Sequence, residues 1–292
     1  MAEEFLLGSI EAGGTKFILA VADTEGNIKA QKRIPTEDPE TTIKNTIEFF
    51  KQYPIKALGI GTFGPIDIDK NSKTYGYILS TPKPGWSNFD LKGSLERGLD
   101  VPAYITTDVN SSAYGEYIAR GKDNNKTIVY VTIGTGVGGG IIQNGHFIGK
   151  NAHPEMGHMI VKRHPKDTYE GYCLFHGSAC VEGMAAGPTL KARTGIPGEE
   201  LKRDNEVFDF VAYYVAQMLY NVYMSTRADV MVVGGSVLNE EDLKQVRKYF
   251  KEFNHDYVET PDLEKLIVRP AVENNGSATL GNFALAKKAL ED

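Results

Sequence analysis

The sequence predicts an α/β protein made of two related halves. Three observations carry this. Apolar runs of strand length alternate with stretches whose apolar residues recur at helical spacing. The order strand, glycine-rich turn, strand, hairpin occurs twice, over 5–34 and 128–150, which reads as an internal duplication. The 292 residues amount to about two domains at roughly 150 residues each.

The elements follow in order. FLLGSI and FILAVA are strands either side of a Gly-Gly turn, and IKAQKRI follows the turn Glu25-Gly26-Asn27. From Pro39 to Tyr53 the period changes: Ile43, Ile47 and Phe50 mark an amphipathic helix. ALGIG (57–61) is a strand. Residues 67–98 are rich in turn formers and hold the only tryptophan, Trp86. AYITT (103–107) is a strand, and DVNSSAYGEYIARG starts a helix with Asn110 or Ser111 as the expected N-cap. In the second half IVYVTI (128–133) leads into the turn GTGVGGG, a short strand II, and the hairpin signal Asn144-Gly145. Apolar positions 207, 211, 215, 218 and 222 mark a long helix. The strand VMVV (230–233) runs into Gly234-Gly235-Ser236, and helices are expected at about 240–253 and 277–290.

Composition excludes several classes. A net charge of −6 and a pI near 5.6, with no basic run, argue against nucleic acid as a partner. Two cysteines cannot build a disulfide framework. No apolar stretch approaches the ~20 residues that span a bilayer, so no membrane partner is expected. The amino terminus, MAEEFLLGSIEAGG, has acids where a signal peptide needs basic residues. A cytoplasmic protein is the expectation.

Glycine clusters carry the first functional signal. Seven of 31 glycines lie between Gly134 and Gly149. GTGVGGG contains G-x-G-x-x-G after a strand, but strand and hairpin follow where a Rossmann site needs a helix. What remains is a tight turn whose backbone can approach phosphate oxygens. Ala12-Gly13-Gly14-Thr15-Lys16 fits the same logic, adding a hydroxyl and an ammonium. Gly234-Gly235-Ser236 lies between a strand and a helix, where N–H groups face an anion. Asp108 follows a strand directly and precedes a helix. It is either a general base, ionised by the helix N-terminus, or merely a cap.

The Cys/His window carries the second signal. Seven of the eight cysteines and histidines lie within the 35 residues from His146 to Cys180. Cys173-x-x-His176-x-x-x-Cys180 supplies three soft ligands at a spacing that suits tetrahedral zinc. His158 is the expected fourth ligand, with His153 and His164 as rivals. A catalytic cysteine and a metal-free buried pair are the alternatives.

At these residues the sequence resembles the ROK family (repressors, open reading frames and kinases), and within it the bacterial fructokinases. The motifs are IEAGGTK (10–16), TDVNSSAYGE (107–116), IGTGVGGG (133–140), HPEMGH (153–158), CLFHGSACVEG (173–183) and NGSATLGNFALA (275–286). The resemblance implies the actin-like ATPase (ribonuclease H-like) fold: two duplicated α/β domains with an inter-domain cleft that closes on the sugar. It places an N-terminal domain at 1–117 plus about 280–292 and a C-terminal domain at 118–279. It implies an ATP-dependent hexose kinase with Mg²⁺ and a structural Zn²⁺, acting on fructose. Mannose or glucose kinases are the alternatives, as is a non-catalytic sugar sensor.

The resemblance also implies roles. Asp108 would be the base, with Thr107 beside it at the sugar. Gly13, Gly14, Thr15, Lys16, Thr135 and Gly136 would hold the nucleotide phosphates. Pro188, Gly235, Ser236, Val237, Leu238 and Asn239 would lie near base and ribose. Glu155, His158 and Glu182 would meet sugar hydroxyls, and His158 would complete the zinc set of Cys173, His176 and Cys180. A homodimer is the implied assembly. Thr107 stands where many members have Asn, and Cys-x-x-His replaces the Cys-x-Cys of many glucose-specific members. No helix-turn-helix precedes residue 5, so the repressor branch's DNA-binding part is not expected.

Overall fold

The computed structural model describes residues 5–273 and 276–291. Asn275 of the C-terminal motif, and residues 1–4 of the amino-terminal stretch, lie outside the described residues. In chain order the strands and helices are β1 (Leu6–Ala12), β2 (Lys16–Ala22), β3 (Ile28–Pro35), α1 (Pro39–Phe50), β4 (Ile55–Thr62), β5 (Tyr77–Ile78), β6 (Phe89–Asp90), α2 (Leu91–Leu99), β7 (Ala103–Thr107) and α3 (Asp108–Ala119). There follow β8 (Thr127–Ile133), β9 (Val137–Gln143), β10 (His146–Phe147), α4 (Val181–Ala185), α5 (Pro188–Thr194), α6 (Val207–Thr226), β11 (Val230–Gly234), α7 (Glu240–Asn254), α8 (Leu263–Leu266), β12 (Ile267–Val268) and α9 (Ser277–Ala289).

The chain forms two compact units. One comprises the residues up to Lys122, Phe147–His153 and those from Val272; the other is Asp123–His146 and Pro154–Ala271. The first unit holds a five-stranded sheet in the order β3-β2-β1-β4-β7, and the second sheet runs β10-β9-β8-β11-β12. In each, the first long strand pairs antiparallel with its hairpin partner and parallel with a later strand. The repeated order in the sequence is therefore a repeated order of strands in space.

Local chemistry explains the first unit's elements. Asp38 caps α1, accepting the Thr41 N–H, with Pro39 at the first helical position. Ile43 and Phe50 are buried on the stripe the sequence marked. Trp86 is fully buried against Phe17, Phe63 and Phe89, and its Nε1–H donates to the Glu37 carbonyl at 2.9 Å. One tryptophan thus anchors the turn-rich segment to the core. That segment ends in α2, which the composition hides because Gly93 and Gly98 weaken its helical signal. Asp90 caps it, and Leu91 and Leu95 bury its inner face.

Two expectations are corrected. The N-cap of α3 is Thr107, whose Oγ1 accepts the Asn110 N–H at 3.3 Å. Asn110 and Ser111 lie inside the helix, fully buried. The helix starts at the strand end with no connecting residues, so the cap falls three residues earlier than the polar run indicates. The turn between β8 and β9 is also shorter than GTGVGGG. Gly138, Gly139 and Gly140 belong to β9, paired with Thr132, Val131 and Tyr130. A Cβ on Gly139 would run into Met156 and would sit 2.8 Å from the Tyr130 carbonyl oxygen. Gly139 thus serves packing, and only 134–136 turns.

In the first unit α9 lies against α3 and β4 at backbone contact. A Cβ on Gly115 would overlap the Ser277 carbonyl, one on Gly281 the Ser111 carbonyl, and one on Gly59 the Asn282 carbonyl. Buried overpacking costs about 1–3 kcal/mol or more, more than the ~1 kcal/mol of helix propensity gained on replacing glycine by alanine. Gly115→Ala should therefore lower the urea midpoint clearly, while Gly14→Ala, with nothing within 4 Å of its Cβ position, should raise it slightly by cutting unfolded-state entropy. An unaltered midpoint for Gly115→Ala would contradict the packing.

Candidate active site and metal centre

In the first unit, β1, β4 and β7 run parallel and end together, and ligands in such sheets bind beyond the carboxyl ends. The β1–β2 turn is tight: the Gly13 N–H donates to the Lys16 carbonyl at 2.9 Å, and a Cβ on Gly13 would lie 2.8 Å from that oxygen. Thr36 braces the turn, its hydroxyl donating to the Gly13 carbonyl at 2.7 Å and its N–H to the Thr15 carbonyl at 3.0 Å. Gly14 and Thr15 stay exposed.

Asp108 begins α3 at the end of β7. The Val109 N–H donates to its Oδ1 at 2.8 Å. Its carboxylate keeps solvent access while protein crowds it on most sides. That crowding raises its pKa above the ordinary carboxylate value; the Val109 N–H and the nearby His153 pull less strongly the other way. The helix N-terminus alone predicted a more acidic group, and desolvation outweighs it.

Glu11, unremarked in the sequence, completes this corner. It is the one acid inside the apolar strand β1, and that was the signal available. Its carboxylate accepts the Thr279 hydroxyl of α9. Burial raises its pKa, opposed by Thr279 and Lys16 and reinforced by Asp108. Two carboxylates and one ammonium thus converge where β1, β2 and β7 meet the loops.

In the second unit the turn 134–136 is closed by the Gly134 N–H donating to the Gly136 carbonyl at 2.9 Å. Thr135 is exposed at its tip. A cavity of about 470 Å³ is lined by Gly134, Thr135, Pro188, Ser236 and Val237, together with Lys191, Glu199 and Arg203. It brings together four residues expected at the nucleotide, Thr135, Pro188, Ser236 and Val237, and adds three charged ones from α5 and the loop after it. Gly235 has φ +83°, and a Cβ there would overlap the Ile133 carbonyl. Leu238 is buried, and Asn239 caps α7, its side chain accepting the Asp242 N–H at 3.1 Å. A larger groove of about 590 Å³ between α7 and α8, around Phe250 and Leu263, contains none of the expected site residues.

His158, Cys173, His176 and Cys180 place one donor atom each within 4.8 Å of one another. Cys173 Sγ lies 3.6 Å from His176 Nδ1 and 3.9 Å from His158 Nδ1; Cys180 Sγ lies 3.9 Å from His158 Nδ1. A tetrahedral metal with bonds of about 2.3 Å to sulfur and 2.0–2.1 Å to nitrogen has S···N edges of about 3.6 Å. The donor set therefore fits a four-coordinate soft metal. Burial, with the Cys173 sulfur and the Glu182 charge, pushes the Cys180 thiol up to about 11, so a bound cation would have to displace that proton. The rivals fall elsewhere: the His164 ring packs among Phe210, Tyr213 and Tyr249, and His153 lies in the first unit beside Asp108.

Glu182 and Glu155 flank this cluster. Glu182 Oε2 accepts the Val137 N–H at 3.0 Å, and its Oε1 lies 4.0 Å from His158 Nε2. Glu155 precedes the single 3₁₀ turn Met156–His158 that carries His158.

The model of the ROK family matches residues 7–289. The fructokinase of Streptococcus mutans is 52% identical over 289 residues, covering 97% of this chain and 98% of its own. The fructokinase of Lactococcus lactis subsp. cremoris is 50% identical over 283 residues, covering 96% of each. Among solved structures, the ROK hexokinase from Thermus thermophilus superposes with a TM-score of 0.80 at 22% identity, over 99% of both chains. The fold is the actin-like ATPase fold.

Proposed function

The chain belongs to the ROK family, and we propose that it is an ATP-dependent fructokinase, making ADP and fructose 6-phosphate from ATP and D-fructose. The observation that carries the chemistry is the corner where Asp108 stands, solvent-accessible, beside Glu11 and the Gly13–Lys16 turn. The choice of fructose rests on the fructokinases of S. mutans and L. lactis, each identical at half or more of the aligned positions.

Asp108 takes the proton of the 6-hydroxyl as its oxygen bonds to the γ-phosphorus; the bond from phosphorus to the bridging oxygen breaks, and ADP leaves with that electron pair. Such transfers need positioning and charge stabilisation more than covalent help. The turns at Gly13–Lys16 and Gly134–Gly136 offer backbone N–H groups and the Lys16 ammonium to the phosphates. Pro188, Ser236 and Val237 line the cavity we assign to base and ribose. Glu155, Glu182 and His158 Nε2 are acceptors and a donor for sugar hydroxyls. Mg²⁺ bound with ATP would neutralise charge on the phosphates, and Glu11 and Asp108 are the carboxylates that would hold it through its waters.

Zinc is the metal we assign to His158, Cys173, His176 and Cys180. Four protein donors leave no open position, which makes it structural. The reading carries with it a cytoplasmic homodimer. Among the described residues no helix is long and apolar enough to cross a membrane.

Five measurements test this. In a hexose panel coupled to ADP release, fructose should give the highest kcat/KM; a large glucose or mannose preference would overturn the substrate. Asp108→Asn should keep the fold and lower kcat by roughly 10²–10⁴-fold. In the native enzyme activity should fall as pH drops through the raised Asp108 pKa, so the acid limb should lie above pH 3.8; turnover near normal in the variant removes Asp108 from the mechanism. Elemental analysis should find about one zinc per chain and none in Cys173→Ser; full metal in that variant means another ligand set. Light scattering should give twice the 32.1 kDa of one chain, and a monomer mass sinks the dimer.

A further inference from the structure

Helix α4 ties the metal cluster to the glycine turn of the second unit. Its N-cap is Cys180, whose Sγ accepts the Gly183 N–H at 3.4 Å. Two residues on, Glu182 Oε2 accepts the Val137 N–H at 3.0 Å, just after the turn 134–136. Beyond the helix, the Gly187 N–H donates to the Gly134 carbonyl at 2.7 Å. Both sides of the turn are thus held by this short helix and the residue two places beyond its end, and the helix starts at a metal-capable side chain.

The fit on each side leaves no slack. A Cβ on Gly136 would lie 2.8 Å from Glu182 Oε2, and one on Gly187 would lie 3.0 Å from the Gly134 carbonyl. At the other end, a Cβ on Gly183 would overlap the Gly177 carbonyl in the loop between His176 and Cys180. The second Glu182 oxygen faces His158 Nε2 at 4.0 Å, while His158 Nδ1 faces the two sulfurs. The Val181 N–H also donates to the Met159 carbonyl at 3.1 Å, next to His158. Glu182 therefore sits between one donor of the cluster and the backbone of the turn.

We propose that Glu182 is a positioning residue for the 134–136 turn, and that the metal cluster, acting through α4, sets the conformation in which that turn meets a nucleotide phosphate. The inference rests on the phosphate-holding role given to this turn. Joining the Cys173–Cys180 loop to His158 fixes the start of α4. The start of α4 fixes the Glu182 carboxylate, and the carboxylate fixes the Val137 amide. This is a role distinct from contact with a sugar, because it is exercised with no sugar present. It follows that loss of metal weakens nucleotide binding even though no cluster residue lines the nucleotide cavity.

The test reads the turn directly. Amide hydrogen exchange of residues 133–140 is followed in the metal-loaded native protein, in the chelator-treated protein, and in Glu182→Ala and Glu182→Gln. Affinity for a non-hydrolysable ATP analogue is measured in parallel without sugar. Exchange at Val137 should speed up in Glu182→Ala and after chelation, and analogue affinity should fall roughly tenfold, the scale of one lost hydrogen bond to a charged group. Glu182→Gln keeps an oxygen able to accept the Val137 N–H and should recover both readings with its metal retained. Unchanged Val137 exchange in Glu182→Ala overturns the positioning role, and unchanged exchange after chelation overturns the link to the metal. Should exchange respond as stated while the native protein binds no analogue, the strut stands and the kinase reading falls.

Discussion

The first unit depends on one close approach: the backbone of α9 against α3 and β4. Glycines at 59, 115 and 281 allow it. With the helix so near, its side chains reach the strand ends. The Asn282 amide donates to the Ile10 carbonyl at 2.9 Å, one residue before Glu11, and Thr279 donates to Glu11 itself. On the α3 side, the Ser277 hydroxyl donates to buried Glu116 at 2.7 Å, and Arg120 pairs with the same carboxylate. Residues from the far end of the chain thus orient an acid on its first strand and clamp the helix that begins with Asp108.

The second unit solves the corresponding problem with different means. Its sheet has the same strand order, and glycines again admit close contacts: a Cβ on Gly157 would overlap the Val137 carbonyl. Here, though, the segment that meets the hairpin, residues 155–187, carries little regular structure. Met156, Val181 and Met184 anchor its two short helical turns in the core, but the loop between them leaves Ile160, Leu174 and Phe175 exposed. Four metal-capable side chains in this stretch, reinforced by the Ile160–Cys180 and Cys173–Gly177 bridges, supply order there. The duplication is one of topology, and the chemistry has diverged on each copy.

Most of the fold was legible because its signals are local. The periods of α1 and α6 and the Asn144-Gly145 hairpin each need only neighbouring residues; Asn144 and Gly145 indeed have φ +52° and +75°. Three of the four metal-capable residues, Cys173, His176 and Cys180, were legible from donor type and spacing, and the family resemblance chose His158 over its rivals. What stayed hidden depends on partners distant in sequence. Glu11 gains its environment from Thr279, 268 positions away. The α3 cap moved to Thr107 because a strand runs straight into a helix there. Lys191, Glu199 and Arg203 join the cavity beside the 134–136 turn only through the path of α5 and the loop after it.

The glycines make the same point in a sharper form. In a string of letters, a glycine that turns, one that packs and one that leaves room for a ligand look alike. The structure separates them by what a side chain would meet. Gly139 and Gly235 are required by the protein's own atoms, Met156 and the Ile133 carbonyl. Gly14 and Gly134 are different. A Cβ at either would touch nothing, and neither has the left-handed φ that favours glycine. Nothing inside the chain calls for a bare backbone there, yet glycine there adds unfolded-state entropy that alanine would not. Both sit in turns that follow strand ends, Gly134 at the start of a turn that its own N–H closes onto the Gly136 carbonyl. A bare backbone there leaves room for a group that approaches more closely than a methyl would allow, and a phosphate has the size and charge to do so.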